Sequence, residues 1–212
     1  MNFASREEAG RKLGCQVRDL EMEVDVVLGL PRGGVIVATE VARVIHQPLD
    51  VLIVRKIGHP FHREFAVGAL AEGGVLLLDE DSIRKDPRAQ RELEEVIAEE
   101  IQRLREYESR FHASGKINLM GKRVLLVDDG LATGATTEAA VESARRQRAT
   151  EVCVAVPVAS ISAVTRLKRV ADEVVALLID PKFDAVGSYY DVFTQTTDEE
   201  VLEVLKAQHA GG

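Results

Sequence analysis

The sequence has 212 residues, of which 46% are hydrophobic, and this favours one domain with one core over residues 1–212. Lys and Arg number 27 against 35 Asp and Glu, so the net charge of −8 argues against nucleic-acid binding as the main activity. Cys15 and Cys153 lack metal or redox spacing, and the sequence has no signal-peptide pattern or long apolar run. We therefore expect a cytoplasmic protein that makes no membrane contact.

The first part of the chain predicts a helix, a strand, a tight turn and a second helix. Ser5-Arg6-Glu7-Glu8 is a capping-box pattern that starts the first helix, to which we assign no chemistry. Residues 24–30 are typical of a strand, and residues 35–46 have helical spacing. The turn between them, Pro31-Arg32-Gly33-Gly34, can present backbone N–H groups and a guanidinium to an anion. A plain turn with a surface arginine is the alternative.

The next stretch predicts a short strand at Val51–Val54, followed by the cations Arg55 and Lys56. Two cations after a strand suit an anion site, although simple surface charge explains them equally well. Residues 57–74 contain four glycines and two histidines, which we interpret as a loop with solvent-facing histidines rather than a metal pair. A returning strand at residues 75–78 and a long helix over about 82–112 follow.

The most informative stretch is Val124–Thr137. Four apolar residues predict a strand that is buried on both faces, and they are followed directly by Asp128 and Asp129. The small and hydroxylated residues after them precede a predicted helix, so their backbone N–H groups can form an anion cradle. Because carboxylates repel a phosphate, the two acids suit the hydroxyl groups of an attached ribose, or a metal ion. The stretch therefore predicts a site for a ribose 5-phosphate.

Other phosphate-binding classes match the sequence less well. An apolar strand that ends in two acids is also found in P-loop NTPases, but no Gly-Lys-Ser or Gly-Lys-Thr occurs in the chain. No G-x-G-x-x-G follows a strand, which argues against a common dinucleotide-binding fold. A helix capped by an acid and a threonine explains one Asp and one Thr, but not the whole series.

The last part of the chain completes the strand–helix alternation and then becomes aromatic. Predicted strands at 151–156 and 173–179 flank a helix at 160–169, so we predict an α/β fold with a doubly wound, mainly parallel sheet flanked by helices. Residues 183–193 then hold four aromatic residues in a chain that is only 4% aromatic. They can stack on a planar base, or they can belong to the core.

The Val124–Thr137 stretch resembles the phosphoribosyl pyrophosphate (PRPP) motif of type I phosphoribosyltransferases. The resemblance implies transfer of a 5-phosphoribosyl group from PRPP to a nitrogenous base, with Mg²⁺ as cofactor, a role in nucleotide salvage, and a homodimer. It also implies a small hood from about 1–20 and 181–212, and a flexible loop at about 57–74 that closes over PRPP. Arg32-Gly33-Gly34 is similar to the family's pyrophosphate loop, whose strained peptide is often cis; here the Pro31–Arg32 bond is the candidate for that peptide.

The resemblance assigns residues position by position. Arg32, Asp128 and Asp129 would have catalytic roles, and Asp128 and Asp129 would bind the ribose hydroxyls. Phe183 and Tyr189 would bind the base, while Asp128, Asp129 and Asp191 would lie near the metal. The full set implied for PRPP is Arg32, Gly33, Gly34, Lys56, Asp128, Asp129, Ala132, Thr133, Gly134, Ala135, Thr136 and Thr137.

Two departures leave the acceptor undefined. Residues 181–191 are similar to the hood of hypoxanthine-guanine phosphoribosyltransferases, but those enzymes place an Asp before Thr-Gly where this chain has Ala132. They also have a Lys where this chain has Pro157-Val158-Ala159. No residue stands out as a general base. A non-catalytic protein that senses PRPP or a nucleotide is the alternative function, and a sugar-phosphate hydrolase is a third.

Overall fold

A computed structural model describes residues 2–79, 83 and 87–209 of the chain. A five-stranded parallel sheet is the centre of its fold. A second sheet of three antiparallel strands lies beside it. In chain order, the elements are α1 (Arg6–Asp19), β1 (Val26–Gly29), α2 (Gly33–Ile45), β2 (Leu49–Val51), β3 (Val54–His59), β4 (His62–Ala71), β5 (Val75–Leu78), α3 (Pro87–Phe111), β6 (Arg123–Val127), α4 (Ala135–Arg146), β7 (Glu151–Ser160), α5 (Ile161–Leu167), β8 (Glu173–Asp180), a 3-10 turn (Val186–Tyr189) and α6 (Asp198–His209).

The strand order in the main sheet is β2-β1-β6-β7-β8, and every neighbouring pair is parallel. The order reverses beside β1, since the chain first moves outward to β2 and later returns to β6 on the other side. In open α/β sheets such a reversal leaves a crevice at the carboxyl ends of the strands, where ligands bind. The prediction of a doubly wound, parallel α/β fold is confirmed.

The core lies on both faces of the main sheet because successive strand residues point to opposite sides. Leu126 of β6 packs toward α4, whereas its neighbours Leu125 and Val127 pack toward α1 and α2. A side chain of this kind contributes about 1.5–3 kcal/mol when it is fully buried, so the uninterrupted apolar strands stabilise both layers. The buried residues of the main-sheet strands on the α4 side are Val26, Leu28, Val124, Leu126, Val152, Val154, Val156 and Ala159.

The structure corrects two sequence predictions about the middle of the chain. Val51–Val54 is not one strand, because β2 ends at Val51 in the main sheet and β3 begins at Val54 in the small sheet. The segment 57–74, predicted as a loop, is mostly a β-hairpin formed by β3 and β4. In β4, Ala69 and Ala71 are buried in the cluster that includes α4, and Val67 and Leu70 are buried in the cluster that includes α3. This packing holds the hairpin in a sheet despite its glycines.

The long helix α3 ends at Phe111, close to its predicted end; the predicted start at about 82 lies outside the described residues. The start of the chain pairs with the segment that precedes α6, as Phe3 N–H donates to Tyr189 at 2.8 Å and Asp191 N–H donates to Phe3 at 2.8 Å. Residue 1 and residues 210–212 of the predicted hood lie outside the described part. A search of the described residues finds no helix that is both long and apolar enough to cross a membrane.

Candidate functional site

Two loops meet at the carboxyl edge of the sheet because β1 and β6 are neighbours. Leu30 N–H, just beyond β1, donates to the carbonyl of Val127 at 2.9 Å. This hydrogen bond places the turn at 31–34 directly beside Asp128 and Asp129. The sequence predicts both loops separately, and the strand order brings them together.

The turn at 31–34 approaches the acidic pair so closely that only glycine fits. A Cβ atom on Gly34 would lie 2.8 Å from the Cα atom of Asp128, and one on Gly33 would collide with the carboxylate of Asp129. The Pro31–Arg32 peptide bond is cis, as the resemblance implies. Arg32 remains partly exposed, with its guanidinium 3.8 Å from Asp198. The loop therefore brings the backbone of Gly33 and Gly34 against the two acids, while the guanidinium of Arg32 lies near Asp198.

The acidic pair is held by short contacts in a partly buried position. Oδ1 of Asp128 accepts a hydrogen bond from the backbone N–H of Asp129 at 2.8 Å. Burial, together with the charge of Asp129, raises the pKa of Asp128 well above its usual value. Burial also raises the pKa of Asp129, although the nearby guanidinium of Arg6 opposes this effect. A cation or ribose hydroxyl groups at this pair would offset the cost of burying two carboxylates.

Arg6 is a site residue that the sequence analysis missed. Its Nε donates to Oδ2 of Asp129 at 2.8 Å, and its Nη1 donates to the carbonyl of Thr194 at 2.8 Å. The guanidinium carbon lies 3.9 Å from the ring centre of Phe193. Arg6 is separated from Asp129 by 123 positions, so nothing in the local pattern of α1 could have revealed the contact.

The loop at 132–137 leads into the N-terminus of α4. Gly134 has a φ of 73°, in the left-handed region that glycine adopts at little cost. Glu138 N–H donates to Gly134 at 2.9 Å, so the N–H groups of Ala135, Thr136 and Thr137 precede the first intrahelical bond. These donors and the helix dipole suit a phosphate.

The side chains of the 132–137 loop differ in their access to a ligand. Ala132 and Thr133 are exposed, whereas Thr137 is 1% exposed and its buried hydroxyl has no hydrogen-bond partner among the described residues. Thr137 can therefore bind a ligand through its backbone only. Thr133 and Ala135 also line a cavity of about 250 Å³ that reaches Phe65 in β4.

The predicted cation Lys56 lies outside the cavity beside Arg32. That cavity, about 290 Å³ in volume, is lined by Arg32 and by Arg55, the other cation after the Val51–Val54 segment. Lys56 lines a neighbouring cavity of about 560 Å³, and its amine donates to the carbonyl of Glu64 at 3.1 Å. Arg55 lines both cavities, whereas Lys56 lines only the second of them.

The aromatic segment lies against the acidic pair. Tyr190 donates its hydroxyl to the carbonyl of Asp129 at 2.6 Å. Phe183 stacks on Tyr189, with ring centres 5.4 Å apart and 23° between the planes. Tyr189 itself is 8% exposed and donates to Asp180 at 2.8 Å, so it supports Phe183 from below rather than offering a free face.

Asp191 does not join Asp128 and Asp129 in a cluster of metal ligands. Within the described ranges, no group of three or more His, Cys, Asp or Glu residues could hold a metal ion. Oδ1 of Asp191 instead accepts a hydrogen bond from the side chain of Asn2 at 3.0 Å. The pairing of the two chain ends fixes Asp191 in this exposed position. Two carboxylates, rather than three, are therefore present at the centre of the site.

The architecture is the type I phosphoribosyltransferase-like fold, with its sheet order reversing at the edge that carries the acidic pair. The family model for the phosphoribosyl transferase domain matches residues 5–191, and the chain therefore belongs to this family. The prediction of family made from the 124–137 stretch is confirmed.

Individual relatives agree with this assignment. A Mycobacterium tuberculosis H37Rv protein named "Putative phosphoribosyl transferase" is 43% identical over 208 residues, which cover 98% of this chain and 47% of that protein. The chain thus spans about half the length of this relative. The crystal structure of TT1426 from Thermus thermophilus is 46% identical, with a TM-score of 0.82 and coverage of 98% of this chain and 99% of that chain.

A more distant structure shares the fold alone. A Neisseria gonorrhoeae protein crystallised with bound ppGpp has a TM-score of 0.51 at 14% identity, with coverage of 100% of this chain and 96% of that chain.

Proposed function

We propose that the protein transfers the 5-phosphoribosyl group of PRPP to a nitrogenous base and releases pyrophosphate. The observation that carries the proposal is the convergence of three elements at one edge of the sheet. These are the 31–34 turn, the acidic pair and the N-terminus of α4. An anion site on either side of two carboxylates matches a ligand with a phosphate at one end, a diphosphate at the other and a diol between them.

The proposed reaction breaks the bond between C1 of the ribose and the diphosphate oxygen, and forms a bond from C1 to a nitrogen of the base. The proton of that nitrogen passes to water or to the departing pyrophosphate. Positive charge develops at C1, and negative charge develops on the leaving diphosphate. Arg32 and the backbone N–H groups of the 31–34 turn are suited to the diphosphate, since donors fixed in advance stabilise charge as it develops. Asp128 and Asp129 are suited to the ribose hydroxyls, which they would hold while C1 reacts.

Magnesium fits the donors that are present. Mg²⁺ prefers oxygen ligands and is usually bound through one or two carboxylates together with substrate phosphates and water. Asp128 and Asp129 are such a pair. Burial raises the pKa of both carboxyls, and a nearby cation would oppose that effect by favouring their charged forms. When bound, the ion would neutralise part of the charge on the diphosphate.

The ring of Phe183 offers a surface on which a planar acceptor can stack. Its ring is half-buried on top of Tyr189, so one face is fixed by the stack while part of the side chain remains accessible. We propose that the base stacks on Phe183, next to the acidic pair that Tyr190 contacts.

The test is the release of pyrophosphate from PRPP and Mg²⁺ in the presence of individual purine and pyrimidine bases. We expect release that depends on one base, with a nucleoside 5-monophosphate formed in equal amount. Binding of PRPP without turnover by any base would favour the sensing protein, and release of phosphate without a base would favour a hydrolase.

We also propose that the protein forms a homodimer, with the exposed side of α3 as a candidate contact. This helix has 25 residues and buries only part of its surface against the small sheet and α6. Sedimentation velocity at several protein concentrations tests the proposal. A single species with the mass of one chain at every concentration would contradict it.

A further inference from the structure

Arg6 differs from the other arginines of α1 in its burial. The residue is 9% exposed, whereas the side chains of Arg11 and Arg18 are 55% and 59% exposed. A buried guanidinium is costly unless its donors are satisfied, and here Nε donates to Asp129 and Nη1 donates to Thr194. Helix α1 does not need Arg6 as a cap, since Ser5 already accepts a hydrogen bond from Glu8 N–H at 3.4 Å. The contacts of Arg6 therefore serve the site rather than the helix.

The contact leaves the two oxygens of Asp129 in different surroundings. Oδ2 receives Arg6 Nε at 2.8 Å and lies against Gly33, on the side of the pyrophosphate loop. The hydrogen bond from Arg6 Nε goes to Oδ2, so Oδ1 is the oxygen that this contact leaves to another donor. A carboxylate rotates easily about its last bond, but a planar guanidinium that holds one oxygen fixes the direction of the other.

Arg6 is itself held from the opposite side. Its Nη1 donates to Thr194, and the ring of Phe193 covers the guanidinium. Such a cation–π contact adds to the hydrogen bond in restraining the side chain. The orientation of Asp129 thus depends on the N-terminal helix and on the C-terminal segment together.

We propose that Arg6 is a positioning residue for the sugar: it holds Oδ2 of Asp129 so that Oδ1 is directed at a ribose hydroxyl. This inference rests on the proposed function. It predicts that Arg6 controls how strongly the protein distinguishes ribose from a deoxyribose, although Arg6 does not touch the sugar. A purely structural arginine would change stability without changing that preference.

The experiment compares the affinities of ribose 5-phosphate, 2-deoxyribose 5-phosphate and 3-deoxyribose 5-phosphate by calorimetry. These probes need neither Mg²⁺ nor turnover. The wild type should prefer ribose 5-phosphate over at least one deoxy sugar. Arg6→Met should reduce that preference about tenfold or more, which is the size of one lost hydrogen bond to a charged group. Arg6→Lys should recover part of it, because an ammonium group keeps the charge but not the fixed geometry.

Arg11→Met is the matched control, since it removes an exposed arginine from the same helix. It should keep the wild-type preference. A second comparison adds Arg6→Met to the Asp129→Asn variant. If Arg6 acts through Asp129 alone, the double variant should show no further loss of the ribose preference. If Arg6→Met does not unfold cooperatively, Arg6→Lys carries the test, because a structural role predicts an unchanged preference in that variant.

The possible outcomes separate the inference from the proposed function. An Arg6 variant that folds and keeps the full ribose preference overturns the positioning role, and so does one that binds ribose 5-phosphate more tightly than the wild type. In both cases the proposed function stands. A wild type that binds none of the sugar phosphates, nor PRPP, overturns the proposed function and the inference with it.

Discussion

At the scale of single residues, the site combines groups that are unfavourable when taken alone. Asp128 and Asp129 are adjacent, partly buried and of like charge, and these factors raise the pKa of the pair. The guanidinium of Arg6 offsets this rise only in part. Perturbed carboxyls of this kind are concentrated at functional sites. The pair is therefore better explained by a ligand than by stability.

Removing the charges should separate binding from folding. We expect Asp128→Asn with Asp129→Asn to weaken PRPP binding about 100-fold or more, because two hydrogen bonds to charged groups are lost. The folded pKa values of the two carboxyls lie above the unfolded ones, so the folded protein loses stability as the pH rises and the pair ionises. The charged pair therefore does not stabilise the fold at neutral pH, and its removal should not unfold the protein. The variant should accordingly unfold within about 4 °C of the wild type at neutral pH. Calorimetric titration and thermal unfolding measure the two effects, and unchanged affinity would discard the ribose assignment.

Phe183 should matter for the acceptor and not for PRPP. Phe183→Ala removes the upper ring of the stack on Tyr189, and stacking of a base on an aromatic ring is worth about 1–3 kcal/mol. We expect roughly tenfold weaker acceptor binding or more, with PRPP affinity unchanged. Tyr189→Phe is the control, because it removes only the hydroxyl that bonds Asp180. Equal losses for both ligands would identify Phe183 as a core residue.

Gly33 should tolerate no side chain. A Cβ atom there collides with Asp129 and comes within 2.8 Å of Arg6 Nε, so Gly33→Ala should cost about 1–3 kcal/mol of stability. Denaturant unfolding measures this cost. Adding Asp129→Ala, which removes the obstructing carboxylate, should restore part of the stability. No recovery in the double variant would place the strain elsewhere.

At the scale of secondary-structure elements, the site depends on the pairing of β1 with β6. Besides the ladder itself, Asp25 before β1 accepts hydrogen bonds from the backbone N–H of Arg123 at 2.7 Å and from its Nη2 at 2.9 Å. This contact lies at the opposite end of the strands from the site. It helps to fix the register in which the 31–34 turn and the acidic pair become neighbours.

The contact makes a specific contribution to the pH dependence of stability. The side-chain hydrogen bonds from Arg123 lower the pKa of Asp25 to about 2 from 3.8. A folded pKa below the unfolded value stabilises the fold above about pH 4, and the effect is lost as the pH falls toward 2. The difference in unfolding free energy between the wild type and Asp25→Asn should therefore shrink over this interval. A difference that is independent of pH would show that the carboxylate charge is not involved.

The small sheet extends the site beyond the main sheet. Hairpin strand β4 brings Phe65 to the cavity that Thr133 and Ala135 line, so this hairpin is placed to cover the proposed phosphate loop. The closing motion that the family resemblance implies for residues 57–74 stays a prediction.

At the scale of the whole molecule, a ligand that binds only the folded chain must stabilise it. PRPP at 100 times its dissociation constant should add about 2.7 kcal/mol to the free energy of unfolding. For a chain of this size, that corresponds to a rise of about 5–10 °C in the unfolding midpoint. The double variant Asp128→Asn with Asp129→Asn, which should bind PRPP about 100-fold more weakly or worse, should gain no more than about 0.4 kcal/mol under the same conditions. A rise of equal size in both proteins would mean that PRPP binds away from the acidic pair.

The sequence by itself determined the features whose causes are local. The apolar strand before Asp128, the glycines of the 31–34 turn and the threonine-rich helix start each occupy one short stretch, so their chemistry can be read without knowing the fold. Together with the strand–helix alternation, they were enough to predict the parallel sheet and the family, and both predictions are confirmed.

Only the tertiary structure decided which distant residues meet. The contact between Arg6 and Asp129, the burial of Tyr189 beneath Phe183 and the separation of Asp191 from the acidic pair all depend on how the chain ends pack over the sheet. The same is true of the hairpin at 57–74, whose strands are stabilised by helices far away in sequence. These contacts arise from packing between elements, so a local pattern of residues does not predict them.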